Sequence, residues 1–256
     1  MRQAGRVTAI VTAFVIGLAA MAPTATALPS DPERWVARAP QVATERFGPG
    51  IRLEMLPFDL SADIWAWPAD PQAWPARSTG PIRIFGREHM GKPEPAMTFE
   101  MLKIGTPVRA AYSGLVLEIR DNEAGSCDKE LYIASTDPKV ASANQETVVK
   151  GSYDHILPTV KPKTMVKAGD IIGTVGPWEC DAPYGAMELQ LGTVAKNSMR
   201  SICPMKLLVP KQARKIRSQV ATLMKKWNAA PANYPSKYTE AEIARGDICE
   251  TTFAQG

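Results

Sequence analysis

Two glycine-punctuated stretches decide the fold: GTPVRAAYSGLV at residues 105–116 and VKAGDIIGTVG at residues 166–176. In each, short apolar runs flank a turn, and glycine stands where a tight turn needs a positive φ angle. This pattern is typical of two strands joined by a short connection. The two stretches therefore predict a pair of β-hairpins.

Similar short runs of β-branched and aromatic residues continue between residues 82 and 209, separated by Gly, Pro and polar loops. The predicted strands are 82–85, 106–111, 115–119, 131–134, 147–151, 170–175 and 187–191. Helical periodicity is missing between these strands, so they have no crossover helices. We therefore predict a mainly β fold, an antiparallel sheet or barrel-sandwich.

Five sequence blocks in this region resemble those of the LytM, or lysostaphin-like, zinc peptidase family. They are FGR (85–87) with GK (91–92), GTPVRAAYSGLV, YDHI (153–156), VKAGDIIGTVG and MELQLG (187–192), and CPMKLL (203–208) resembles the closing segment. Such hairpins also occur in biotinyl and lipoyl carrier domains, but the modified lysine turn of a carrier is missing here. The resemblance covers residues 82–209 and implies a duplicated hybrid motif β-domain that cleaves peptidoglycan peptides with zinc.

The zinc site that the resemblance implies needs four histidines and an aspartate, as metal ligands and catalytic groups. This chain has only two histidines, His89 and His155. Aligned block by block, Ala96 stands at the first ligand His and Glu100 at the ligand Asp. Only His155 keeps its family type, as a catalytic position, and His89 matches a histidine outside the metal shell.

The remaining pair of family histidines falls at Ala186 and Glu188. Alanine offers no lone pair, whereas a glutamate can still bind a divalent ion through oxygen. If the chain is an enzyme, we expect zinc on Glu100, Glu188 and His89 with His155 as base. Alternatively, the two glutamates form an acidic patch that pairs with a Lys or Arg from a neighbouring strand, and His155 hydrogen-bonds a loop. We favour the acidic patch over metal binding, leave the two readings of His155 equally open, and predict no cofactor.

The four cysteines of the chain are Cys127, Cys180, Cys203 and Cys249. No two of them stand two to four residues apart, which argues against a zinc knuckle. An even number in an exported chain favours two disulfides, and three pairings are possible.

The amino terminus is typical of a secretory signal peptide, residues 1–27. Arg2 and Arg6 precede an apolar run over residues 7–21, and small residues at 25–27 offer a cleavage site. The run is short for a membrane span, although an uncleaved anchor stays an alternative. We predict a secreted protein of the cell envelope.

Two flanking regions surround the predicted β-domain. Residues 28–81 form an irregular extension rich in Pro and Trp, whose tryptophans either pack on the domain or stack on a ligand. Residues 210–256 form a helix over 211–228, a short helix over 239–245 and a tail. The apolar positions of the long helix recur at steps of three and four residues. Its basic residues either face solvent or meet an anionic wall polymer or lipid headgroups; they are Lys211, Arg214, Lys215, Arg217, Lys225 and Lys226.

Composition excludes several other functions. The net charge of +4 falls to +2 without Arg2 and Arg6, which gives nucleic-acid binding little support. The sequence contains no Gly-x-Ser-x-Gly elbow, no P-loop and no dinucleotide fingerprint. We therefore predict a non-catalytic, LytM-like module that binds peptidoglycan or an anionic wall polymer, or regulates a partner wall hydrolase. The alternatives are an active zinc endopeptidase and a structural envelope protein.

Overall fold

Antiparallel strands form most of the structure, a computed structural model that describes residues 51–67, 80–89, 91–122, 127–135, 149–178, 180–195, 198–229 and 237–250. The strands are β1 Glu88–His89, β2 Lys92–Pro93, β3 Met97–Leu102, β4 Pro107–Arg109, β5 Gly114–Asp121, β6 Lys129–Ser135, β7 Val149–Pro158, β8 Met165–Val166, β9 Ile171–Val175, β10 Gly185–Ala195 and β11 Ser198–Ile202. The predicted signal segment lies outside the described residues, and so do Trp35 and Trp74 of the extension.

The long strand β10 organises the main sheet, whose strands follow the order β11-β10-β7-β6-β5-β8. Strand β3 also pairs with β10, and β9 pairs with both β4 and β7. All of these pairs are antiparallel. Strands β1 and β2 form a separate antiparallel hairpin. The predicted mainly β, antiparallel fold is confirmed, but the two predicted hairpins are wrong, because β4 pairs with β9 and β5 pairs with β8, across the two stretches.

The prediction of a strand over residues 82–85 is wrong. Ile82 makes a single bridge with Phe99, and Phe85 makes one with Cys249. The backbone N–H of Arg83 donates to the carbonyl of Thr98, while that of Phe85 donates towards the carboxyl-terminal segment. The segment divides its hydrogen bonds between two neighbours, so no continuous ladder forms.

Strand β3 was missed, although its first four residues alternate apolar and polar side chains. Its two polar residues, Thr98 and Glu100, are buried like the rest of the strand. Strands β8 and β11 were also missed. Strand β7 continues to Pro158, well beyond the predicted end, and therefore includes His155.

Two α-helices follow the sheet, as predicted. Helix α1, Pro210–Asn228, begins with a proline that suits the first helical turn. Helix α2, Glu240–Arg245, begins with a capping box between Thr239 and Glu242 and ends at Gly246, whose φ angle is 54°. A 3-10 turn, Pro204–Leu207, connects β11 to α1.

The segments on either side of the sheet pack on a shared core. Helix α1 buries Trp227 against Trp67, with ring centroids 5.7 Å apart, and Trp67 lies 5.8 Å from Trp65. These two tryptophans of the extension therefore take the packing role. The hydroxyl of Tyr238 accepts a hydrogen bond from the N–H of Ile82 and donates one to its carbonyl.

Both predicted disulfides are present. The structure pairs Cys127 with Cys180 and Cys203 with Cys249, one of the three possible pairings. Among the described residues, no helix combines the length and the apolar character that a membrane crossing requires.

Candidate functional site

The buried guanidinium of Arg83 is surrounded by three carboxylates. Its Nε lies 2.8 Å from Oε1 of Glu100. Its Nη1 lies 3.2 Å from Oε2 of Glu94 and 3.8 Å from Oε1 of Glu188. The Arg83 side chain is only 7% exposed, and a charge at that depth is stable only when it is paired. Burial alone would lower the pKa of Arg83, but Glu100, Glu94 and Glu188 outweigh burial and raise it.

The strand register explains why these side chains meet. Glu188 on β10 lies opposite Thr98 on β3 and opposite Asp154 on β7. Thr98 and Glu100 are two residues apart on β3, so their side chains share a face of the strand. The segment that carries Arg83 runs beside β3 and brings the guanidinium onto that face.

A hydroxyl lies between two of the carboxylates. Oγ1 of Thr98 is 3.3 Å from Glu94 and 3.2 Å from Glu188. Burial raises the pKa of Glu188 to about 7, and the negative charge of Glu94 acts in the same direction. Glu188 therefore holds a proton for part of the time near neutral pH.

The donors at the family's zinc positions do not fit a zinc ion. Ala96 and Ala186 are buried and offer no lone pair. The oxygens of Glu100 and Glu188 face the Arg83 guanidinium, whose positive charge takes the place that a metal would need. The side chain of His89 lies outside the described part of the structure, so the set of Glu100, Glu188 and His89 stays a prediction. The ion pairing with an arginine, the alternative that we favoured, is present.

A second cluster surrounds His155, close to the first. Its Nδ1 lies 2.8 Å from Oδ2 of Asp128, and its Nε2 lies 4.0 Å from Oδ2 of Asp154. The backbone N–H of His155 donates to Oδ1 of Asp154, and the residue has a φ angle of 58°. A positive φ is uncommon for histidine, so these contacts hold it in an unusual conformation.

A disulfide assembles this second cluster. Cys127 precedes Asp128, and Cys180 follows Trp178 by two residues, so the Cys127–Cys180 bond joins the loops that supply both side chains. Nδ2 of Asn122 donates to Asp128 and to Asp154 and keeps the two carboxylates together.

The indole of Trp178 lies between the two clusters. Its ring centroid is 4.5 Å from that of His155, and the guanidinium carbon of Arg83 lies 5.3 Å from an indole ring centroid. Aromatic faces attract cations, so Trp178 contacts two positive groups. The two clusters thus form one continuous site, in which Glu188 pairs with Arg83 and lies opposite Asp154 in the strand register.

A metal could also be held by Asp128, Asp154 and His155, whose potential ligand atoms lie within 4.8 Å of one another. Burial alone would lower the pKa of His155, but the hydrogen bond that its ring donates to Asp128 and the charges of Asp154 and Glu188 raise it to about 9. At neutral pH a metal would therefore have to displace the proton of the imidazole before it could bind there.

The imidazolium should make stability depend on pH in a defined window. The folded-state pKa of about 9 exceeds the usual histidine value of 6.5, so the charged ring stabilises the fold fully below pH 6.5 and loses this effect as the pH rises through about 9. We expect the destabilisation caused by His155→Gln to be largest near pH 6 and to shrink by pH 10. Urea unfolding of both proteins at several pH values measures it.

An NMR titration checks the same prediction independently. The chain has only two histidines, so His89→Asn assigns the signals and serves as the control. A His155 signal that titrates below pH 7, or a destabilisation that stays constant from pH 6 to 10, would contradict the prediction.

Sequence reasoning missed most of this site. It named Glu100, Glu188 and His155, and the structure brings all three together. It did not name the remaining members, which are Arg83, Glu94, Thr98, Asn122, Asp128, Asp154 and Trp178. A charged residue inside the apolar run IRIF at 82–85 was the one available signal for Arg83.

The chain is similar to solved peptidase structures. One is the catalytic domain of the antimicrobial peptidase lysostaphin from Staphylococcus simulans, at 23% identity over 48% of this chain and 86% of that chain, with a TM-score of 0.35. A second is the catalytic domain of the prophage-encoded M23 protein EnpA from Enterococcus faecalis, at 21% identity over 51% and 96%, with a TM-score of 0.36. A third is a zinc containing peptidase from Vibrio cholerae, at 19% identity over 59% and 39%, with a TM-score of 0.37.

Likenesses of this extent assign no role to any residue of this chain. No family model matches the sequence, and no curated protein matches it.

Proposed function

We propose that this chain is an extracytoplasmic, non-catalytic LytM-like domain that binds peptidoglycan or regulates a partner wall hydrolase. The observation that carries the proposal is the Arg83 guanidinium between Glu100 and Glu188. Catalytic zinc needs an open coordination position at which a water is acidified. A guanidinium supplies positive charge but no such position.

The state of His155 supports the same proposal. A general base must be unprotonated at the working pH, and its most useful pKa lies near that pH. With a pKa of about 9, His155 is an imidazolium at neutral pH and cannot accept a proton. Its hydrogen bond to Asp128 stabilises this charged state.

The charges of the site favour one kind of ligand group. Five carboxylates face two cations; the carboxylates are Glu94, Glu100, Glu188, Asp128 and Asp154, and the cations are Arg83 and His155. The side chains of Glu188 and Asp154 are 19% and 23% exposed, so a ligand can reach them. The surplus of negative charge favours the free amino group of a wall peptide, with Trp178 as an aromatic surface beside it.

We expect the purified mature protein to carry far less than one zinc ion per chain and to release no fragments from purified sacculi. Glu188→Ala should leave both results unchanged. Metal analysis by mass spectrometry and chromatography of the digest measure them. Stoichiometric zinc that disappears in Glu188→Ala, together with released fragments, would show a divergent zinc peptidase instead.

Wall binding is tested by sedimentation with sacculi. We expect binding that weakens when the free amino groups of the sacculi are acetylated and when Trp178 is replaced by Ala. Met165→Ala is the matched control, because Met165 is an apolar side chain that is 61% exposed and outside the site. If neither sacculi nor a wall hydrolase responds to the protein, a structural envelope role replaces the proposal.

A further inference from the structure

A line of cationic and hydroxyl side chains runs along the exposed face of helix α1. Lys211, Arg214, Ser218, Thr222 and Lys225 recur at steps of three and four residues, and all five are exposed. At about 1.5 Å per residue, the line is about 21 Å long. Lys215 and Lys226, both exposed, lie four residues after Lys211 and Thr222, on the same face. We refer to Lys211, Arg214, Lys215, Lys225 and Lys226 as the basic stripe.

We propose that the basic stripe binds a linear polyanion with repeated phosphate groups. Helix α1 contains no acidic residue, so no charge within the helix neutralises the stripe. Among the described residues, Lys211, Arg214 and Lys225 have no ion pair within 4.0 Å. Three of the five cations are therefore available to an external anion.

The opposite face of α1 argues against insertion into a lipid bilayer. Its apolar residues are buried in the core of the protein; they are Ile216, Val220, Leu223, Met224 and Trp227. An interfacial helix binds a membrane by burying its apolar face between lipids, and here that face is already covered. Only the charged face can meet a partner.

Acidic residues border the stripe on both sides. On one side Gln219 lies 3.3 Å from Oδ1 of Asp59, and on the other Arg217 lies 3.7 Å from Oδ2 of Asp247. A broad anionic surface would bring its phosphates towards these carboxylates. A single polymer chain that follows the helix axis meets the cations and avoids them, so the charge pattern favours a linear partner.

Small side chains at the middle of the line suit this geometry. Ser218 and Thr222 leave the helix surface low between Arg214 and Lys225, and the hydroxyl of Thr222 donates to the carbonyl of Ser218. The Ser218 hydroxyl can donate to a phosphate oxygen. The polymer can therefore lie close to the helix along its whole length.

The test uses linear inorganic polyphosphate as the probe and the mature protein. We expect the triple variant Lys211→Gln/Arg214→Gln/Lys225→Gln to bind it at least about tenfold more weakly at low salt, because three phosphate contacts are lost. The slope of the logarithm of affinity against the logarithm of salt concentration should fall by about three. Fluorescence anisotropy with labelled polyphosphate measures both.

The control is Lys161→Gln/Lys163→Gln/Lys167→Gln, which removes the same charge from three exposed lysines in the connections before and after β8. We expect this control to bind as the unchanged protein does. Circular dichroism shows whether each variant keeps its fold. Equal weakening in the two triple variants, or no binding by the unchanged protein, would overturn the proposal.

A second arm distinguishes a polymer from a membrane. Vesicles of phosphatidylglycerol and phosphatidylcholine should bind much more weakly than polyphosphate at equal phosphate concentration, and stronger vesicle binding would overturn the proposal in favour of a lipid surface. Trp178→Ala should leave polyphosphate binding unchanged. A failure of this inference can therefore be distinguished from a failure of the site around Arg83 and His155 to bind wall peptides.

Discussion

Replacing Arg83 with Met is expected to lower the free energy of unfolding by about 3–5 kcal/mol at pH 7. Methionine keeps much of the side-chain volume but removes the charge, so the buried carboxylates of Glu94 and Glu100 lose the cation that faces them. A buried charge without its counter-ion is far more costly than the loss of one hydrogen bond. Urea unfolding, followed by tryptophan fluorescence, measures the difference.

The destabilisation should shrink in acid. Without the guanidinium, the carboxylates bind protons more readily in the folded than in the unfolded state, so protonation favours the fold as the pH falls. Arg83→Lys should be less harmful than Arg83→Met, because it retains the charge but not the fork of donors.

The control for Arg83 is Arg109→Met, since Arg109 is exposed and its guanidinium donates to the carbonyl of Gly169. We expect this change to lower the free energy of unfolding by less than about 1 kcal/mol. The double variant Arg83→Met/Glu100→Leu should recover part of the loss, because it removes one of the carboxylates that faced the lost cation. Equal losses in Arg83→Met and Arg109→Met would contradict the role that we assign to the guanidinium.

Removing the disulfide between Cys203 and Cys249 is expected to cost about 4 kcal/mol of stability. The two cysteines are 46 residues apart, and the loss of a cross-link of that length increases the entropy of the unfolded chain by an amount of this order. Both side chains are buried, so Ala substitutions also leave space in the core. Thermal and urea unfolding of Cys203→Ala/Cys249→Ala measure the loss.

The matched control is Cys127→Ala/Cys180→Ala, which opens a cross-link over 53 residues. The chain-entropy contribution is nearly the same, but Cys180 is exposed and little core packing is lost. The Cys203–Cys249 disulfide should therefore contribute more to the free energy of unfolding. The Cys127–Cys180 bond should matter more to the pKa of His155, because it holds the loop that carries Asp128. A larger loss in the control would contradict this division.

The strands of the two glycine-punctuated stretches were predictable because their signals are local, but their pairing was not. Glycine at the turns and apolar runs beside them identify β4, β5 and β9 without knowledge of the rest of the chain. The pairing of β4 with β9 and of β5 with β8 joins strands that are distant in sequence, and so does the isolated bridge between Phe85 and Cys249.

The site was predictable only in part for the same reason. A count of histidines was enough to show that the family's ligand set is incomplete. We expected Glu100 and Glu188 to pair with a cation, and they do. The cation is Arg83 because of the position of residues 82–85, a segment that was predicted as an ordinary strand. Asp128 and Trp178 join His155 through a disulfide whose pairing the sequence left open.

The guanidinium of Arg83 has a consequence for the conditions under which the domain can work. A metal cofactor must be acquired, and its occupancy depends on the concentration of free ion and on competing chelators. The cation at the centre of this cluster is covalently part of the polypeptide, so it is present as soon as the chain folds. We expect the site around Arg83 and His155 to keep its shape and its charge in media that are depleted of divalent metals, where a zinc-dependent relative would be inactive.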